Sequence, residues 1–170
     1  PPAPALSVKS LGLIIDRDLP LSSQVNKIYG TCIGLLRSLK KLFPFLSRSV
    51  LRSVVSAVIL SCLDYGNSLY LGLPASSLAK VQVVQNDAAR LILNLLRWSH
   101  ATPALRELHW LPVRHKLQFK SLCFAFRSLK QSASEFVREK LVLYVPTSHL
   151  RSSSASLLSV PEFRKTKTGC

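Results

Sequence analysis

The sequence predicts a mainly α-helical chain that opens on a short β-strand and ends in a poorly structured basic tail. Three observations carry that expectation. Apolar residues recur at three- and four-residue spacing in long segments between residues 22 and 129. Pro44, Gly66, Gly72, Pro74 and Pro112 punctuate the boundaries between those segments. Beyond Pro146 the chain turns Ser-rich and basic, a composition that buries too little apolar surface to fold alone. With 170 residues, 48% hydrophobic and 18% charged, the chain is long and apolar enough to bury a core.

Each element follows from its residues. Ser7 to Asp16 alternates and then runs apolar through Leu11-Gly12-Leu13-Ile14-Ile15, too short for a helix and branched enough for a strand. Asp16, Asp18 and Pro20 punctuate a turn. Ser22 or Ser23 caps a first helix whose buried face reads Val25, Ile28, Cys32, Leu35, Leu36 and Leu39; Pro44 ends it. Ser47 or Ser49 opens a second, with a wide stripe through Val50, Leu51, Val54, Val55, Val58, Ile59, Cys62 and Leu63. After Gly66-Asn67 and Gly72-Leu73-Pro74, Ser76 or Ser77 starts a third, with Leu78, Val81, Gln85, Ala88, Leu91, Ile92 and Leu95 on one side. Thr102-Pro103 caps a short helix through Leu108. Trp110-Leu111-Pro112 is a turn, and Val113 to Leu129 a fourth long helix in which Leu117, Ser121 and Phe124 share a line flanked by Leu122, Phe126 and Leu129. A last short helix is expected over 134–142.

The charge is one-sided: 23 Lys+Arg stand against 8 Asp+Glu, a formal net charge of +15. Between Asp18 and Asp64 there is no acid at all, yet Lys27, Arg37, Lys40, Lys41, Arg48 and Arg52 all fall there. Cations that decorate core-building helices make a folded basic surface. Such a surface suits a polyanion, because each phosphate contact releases a condensed counterion.

Other classes find little support. The apolar run 54–63 is about half of the ~20 residues a spanning helix needs, so no membrane segment is expected. The start Pro1-Pro2-Ala3-Pro4 lacks the apolar stretch of a secretory signal. That start, and the absence of methionine, lead us to expect a piece of a longer protein. Cys32, Cys62, Cys123 and Cys170 are far apart and His100, His109, His115 and His149 do not cluster, so no zinc site is expected. The thiols read as small apolar groups in a reducing compartment.

Little in the sequence points to catalysis. Asp16 and Asp18 stand at a turn, Asp64 at a helix end, and no serine sits in a GxSxG elbow. His109 reads as a structural histidine in a buried turn. Phe43, Phe45, Trp98, Trp110, Phe119, Phe124 and Phe126 can in principle stack on bases, but most lie on packing lines or beside prolines, which points to core packing. Trp98, between Arg97 and His100, is retained as a stacking candidate.

Several strings share an order and spacing. They are Leu11-Gly12-Leu13-Ile14-Ile15-Asp16, Leu63-Asp64-Tyr65-Gly66-Asn67-Ser68-Leu69, Gly72-Leu73-Pro74, Val81-Gln82-Val83-Val84-Gln85-Asn86-Asp87-Ala88-Ala89-Arg90-Leu91, His109-Trp110-Leu111-Pro112-Val113 and Leu150-Arg151-Ser152-Ser153-Ser154-Ala155. Together they resemble the C-terminal part of the reverse transcriptases of non-LTR (LINE-type) retrotransposons, in the CR1, jockey and L2-like pattern, over nearly the whole chain. The sequence departs from that pattern at Gln24-Val25, where a His-Ile pair is common, at Gly66, usually cysteine, and at Asp87, usually alanine.

The resemblance implies an end-of-palm strand and turn over 1–21, a thumb-like helical bundle over 22–97, a helical connector over 98–145 and a Ser-rich basic tail over 146–170. It implies a fragment of an RNA-directed DNA polymerase whose partners are an RNA–DNA or primer–template duplex, held through phosphates, and the palm. The family's metal-binding aspartates lie in an (F/Y)xDD turn that this sequence does not contain. Mg2+ is therefore expected only in the parent's palm, and no catalytic or metal-binding residue is assigned here. The phosphate-contact candidates are Arg37, Lys40, Lys41, Arg48 and Arg52, then Arg90 and Arg97, then Arg114, Lys116 and Lys120. The expected setting is intracellular, in nucleus or cytoplasm. The alternative is a non-catalytic helical protein-interaction module or the decayed remnant of a mobile element.

Overall fold

The structure, a computed structural model, describes residues 7–16, 21–130, 139, 141, 142, 144 and 157–159. The expected helix over 134–142 and most of the tail lie outside them. The chain divides into two units, Pro1–Lys120 and Ser121–Cys170, so the expected bundle and the first part of the expected connector share one unit.

The first unit begins with a hairpin instead of one strand. β1 (Ser7–Ser10) pairs antiparallel with β2 (Leu13–Asp16), Ser10 opposite Leu13 and Ser7 opposite Asp16. The two-residue loop has Leu11 at φ 47° and Gly12 at φ 81°, the two left-handed residues that a type I′ hairpin requires.

Six helices follow. α1 (Ser22–Leu42) buries Gln24, Val25, Ile28, Cys32, Leu36 and Leu39. Its cap differs from expectation: Leu21 is the flanking residue, in the left-handed region and without a side-chain cap. Asp16, at the end of β2, instead accepts from Ser22 Oγ (3.4 Å) and from the Ser23 N–H (3.3 Å). A carboxylate thus sits at the positive end of α1.

Ser47 caps α2 (Arg48–Val55) as expected, its hydroxyl accepting from the Val50 N–H. The helix runs on through a π-helical turn, Ser56–Leu60, into α3 (Ser61–Asp64). Its buried residues, Leu51, Val55, Ile59 and Leu63, are spaced by four throughout. In a plain α-helix that spacing drifts by about 40° per step. The π turn, which takes one extra residue, absorbs the accumulated drift.

α4 (Ala75–Leu93) starts directly after Pro74 and ends at Asn94, in the left-handed region. The N–H groups of Asn94 and Leu95 reach back to the carbonyls of Leu91 and Arg90, a Schellman closure that stops the helix short of Leu95. α5 (Ala101–Glu107) ends the same way. His109 sits at φ 57° and is exposed, not buried as expected. The N–H groups of His109 and Trp110 bond to Arg106 and Leu105. Histidine is among the residues that tolerate this conformation.

α6 (Val113–Leu129) has the expected bounds. Leu117 is buried, but the expected line onward to Phe124 is not: Phe124, Leu122 (69% exposed), Phe126 (61%) and Leu129 are exposed. Periodicity marked an apolar band there without marking whether anything covers it. In the second unit, Tyr144 N–H bonds to the Leu157 carbonyl and Ser159 N–H to the Val142 carbonyl.

In the first unit α1, α2 and α5 pack on α4, and β2 packs on α1. Two polar joints fix these elements. In the first, Gln24, buried on α1, accepts from the Ile14 N–H of β2 (3.0 Å), and Tyr65 donates its hydroxyl to the Leu11 carbonyl. Gly66, at φ 62°, lies so close to the hairpin that a Cβ would stand 2.8 Å from Leu13 Cδ1.

The second joint is an amide network. Gln82 Oε1 accepts from the Val113 N–H (2.8 Å), and Gln82 Nε2 donates to Gln85 Oε1 (2.9 Å) and Asn86 Oδ1 (2.8 Å). Gln85 Nε2 donates to the Leu111 carbonyl (2.9 Å). The VQVVQN and HWLPV strings therefore meet, and their amides satisfy one of the orphan donors at the start of α6.

Candidate nucleic-acid interface

The basic surface centres on an elbow. α1 ends at Leu42, a 3₁₀ turn spans Phe43–Phe45, and α2 begins at Arg48. Arg37, Lys40 and Lys41 stand at i, i+3 and i+4 on the last turns of α1, neighbours on one surface, while α1 buries Leu36 and Leu39. Arg48 and Arg52 stand one turn apart on α2. All five are exposed.

The acids explain which cations remain available. Asp16 serves the start of α1. Asp64 pairs with Lys116 (2.7 Å) and Lys120 (3.6 Å) and accepts from Asn67. Asp87 pairs with Arg90 (2.9 Å) and Glu107 with Arg48 (2.6 Å). These four are the described acids of the first unit, and each is engaged within it.

The predicted residues therefore separate. Among the described residues, Arg37, Lys40, Lys41, Arg52, Arg97 and Arg114 have no acidic partner. Arg48 is held only by an ion pair exposed on both sides, the kind worth ~0–1 kcal/mol and readily exchanged for phosphate. Arg90 is half-buried, held by Asp87, with its Nε donating to the Ser99 carbonyl (3.0 Å). Lys116 and Lys120 are half-buried and turned onto Asp64. The third group is thus divided: Arg114 is exposed and lines a cleft of about 540 Å³ with Tyr70, Gln82 and Gln118, while its two lysines clamp α6 to the end of α3.

The aromatics also separate. Phe43 and Trp110 pack against the core as expected. Trp98 is 80% exposed, beside exposed Arg97 and His100. Phe45, expected in the core, is 83% exposed. The spacing held a signal for this: Phe43 continues the buried line four residues after Leu39, and Phe45 does not. Phe119, Phe124 and Phe126, also expected in the core, are exposed.

Two buried groups carry shifted acidities. Burial pushes the Cys32 thiol up to about 12, with the neighbouring Cys62 thiol adding to the effect. Burial likewise raises the Tyr70 phenol; the Gln24 amide opposes the shift without reaching hydrogen-bond geometry. Both thiols are free, in keeping with small apolar side chains.

Among the described residues no group of three His, Cys, Asp or Glu side chains could hold a metal ion, and no helix is long and apolar enough to cross a membrane. No protein-family model, curated protein or solved structure matches the chain.

Proposed function

We propose that the first unit is a nucleic-acid-binding helical module, equivalent to the thumb and the start of the connector of a LINE-type reverse transcriptase. It holds a template–primer duplex through its phosphates, without base preference. One observation supports this above the rest: every described acid of the unit is engaged internally, while Arg37, Lys40, Lys41 and Arg52 stay exposed and uncompensated around one elbow. Nucleotidyl transfer needs at least two metal-binding carboxylates in one site. In this reading it belongs to the palm of the parent polymerase, together with its Mg2+.

The test is a salt titration of binding to a labelled RNA–DNA hybrid, followed by fluorescence anisotropy. Affinity should fall steeply with salt. Replacing Lys40 and Lys41 together by glutamine should flatten the log–log slope by about 2, close to 0.9 per phosphate contact. An unchanged slope would sink the assignment.

A second reading, a helical protein-interaction module, is supported by the exposed Leu122, Phe124 and Phe126 of α6. Association through that face should be nearly indifferent to salt.

A further inference from the structure

We infer that the α1–α2 elbow binds unpaired nucleotides at a duplex junction, with Phe45 stacking on a base while the surrounding cations hold its phosphates. The inference rests on the reading of the unit as a nucleic-acid binder and adds to it which part of the nucleic acid the elbow takes.

The elbow is built for more than charge. An 83% exposed phenyl ring gains little from the fold, and Pro44 before it fixes one backbone torsion in the turn that presents it. Exposed cations flank it along the chain, Lys40 and Lys41 at the end of α1 before it and Arg48 and Arg52 on α2 after it. Lysine and arginine neutralise phosphates, whereas a phenyl ring recognises a π face. A chain of alternating phosphates and bases offers both at short range, as in single-strand-binding grooves.

Paired bases are not available to such a ring. Within a duplex each base is already stacked on its neighbours, and inserting a wedge costs a few kcal/mol per step. A base beyond the end of the duplex has a free face and carries no such cost. The elbow therefore fits the junction between a duplex and its single-stranded extension.

An anionic lipid surface is the competing polyanion. An interfacial helix needs a continuous apolar face. Here the exposed apolar neighbours of Phe45 are Leu42 and Val50, each about half covered, and Leu46 packs against the core. The charge fits either surface; the lone ring fits a base better.

The experiment uses the full chain and two labelled RNA–DNA hybrids with the same overhang length, one carrying bases and one abasic. The overhangs then differ in π faces and not in phosphates. The wild-type chain should bind the base-bearing overhang about 5- to 150-fold more tightly, the range expected for stacking one base on an aromatic ring. Phe45→Ala should erase that preference with the salt slope unchanged, and Phe45→Trp should keep or widen it. Phe45 is on the surface, so the variants should match the wild type in circular dichroism and melting.

Equal binding of both hybrids by the wild type, or a preference that survives Phe45→Ala, would overturn the inference. If Lys40→Gln with Lys41→Gln still weakened both hybrids in that event, the proposed function would stand without it. Binding to phosphatidylserine-containing vesicles and to neither hybrid would overturn both.

Discussion

Replacing Gln85 by leucine tests the amide network that seats the start of α6. Gln85 is 2% exposed, and leucine is of similar, slightly larger volume, so no cavity is opened and the cost is mainly polar. Two groups lose a partner: the Leu111 carbonyl, which Gln85 Nε2 serves at 2.9 Å, and one N–H of Gln82, whose amide retains Asn86. Gln82 is half-buried and Leu111 is exposed, so each freed group can turn in part to water. A buried group left without a partner costs about 1–3 kcal/mol, and two partly wetted groups at the low end of that range give about 2 kcal/mol for the pair. With a urea m-value of about 2 kcal/mol/M, the midpoint should fall by about 1 M at constant m. Urea unfolding of the full chain followed by circular dichroism reads this directly. Arg48→Gln is the control, since it breaks an exposed pair worth about 0–1 kcal/mol. A Gln85→Leu midpoint within error of the wild type would show that the network does not hold α6.

Two further outcomes follow from the same geometry. Asp64→Asn removes the charge that holds Lys116 and Lys120 while leaving an acceptor for Asn67. Stability should fall by about 1 kcal/mol at low ionic strength, and the gap should close as salt is added; a gap independent of salt would mean that the pairing is not electrostatic. For the thiols, native-state labelling at pH 8 should modify Cys62 and Cys123 well before Cys32, which is fully buried and pushed up to about 12. The unfolded thiol releases its proton above its ordinary value of 9.0 and the folded one keeps it to about 12. Its contribution to stability is therefore level below pH 9 and declines as pH rises through that window. Equal labelling rates for Cys32 and Cys62 would contradict the packing of α1 against α3.

The buried face of α1 could be read directly, because burial at three- and four-residue spacing leaves its mark in the sequence. Val25, Ile28, Cys32, Leu36 and Leu39 are buried as their spacing requires. The hairpin could not be read. Its loop places a leucine, Leu11, where asparagine or aspartate would have announced a type I′ turn, so the apolar run looked like one strand. Nor could the sequence show which cations are paired. Asp64 lies 52 residues from Lys116, and charge counting treats both as surface groups until the fold brings them together. The same limit applies to Phe45 and Phe126: apolar identity says that a side chain can be buried, and the neighbouring elements decide whether it is.

The π turn at Ser56–Leu60 has a consequence for chain length. Leu51, Val55, Ile59 and Leu63 keep one face only because that turn takes up a residue. Remove one of Ser56, Ala57 or Val58 and the intervals become four, three and four, close to the seven-residue repeat that a plain α-helix brings back to nearly the same side. The helix would straighten, while Asp64 and Tyr65 would keep their bearings toward α6 and the hairpin. A deletion elsewhere in the same helix would swing both away by about 100°. Residues 56–58 are thus a place where the chain can shorten by one and stay in phase, a tolerance written in helical pitch and not in the identity of any side chain.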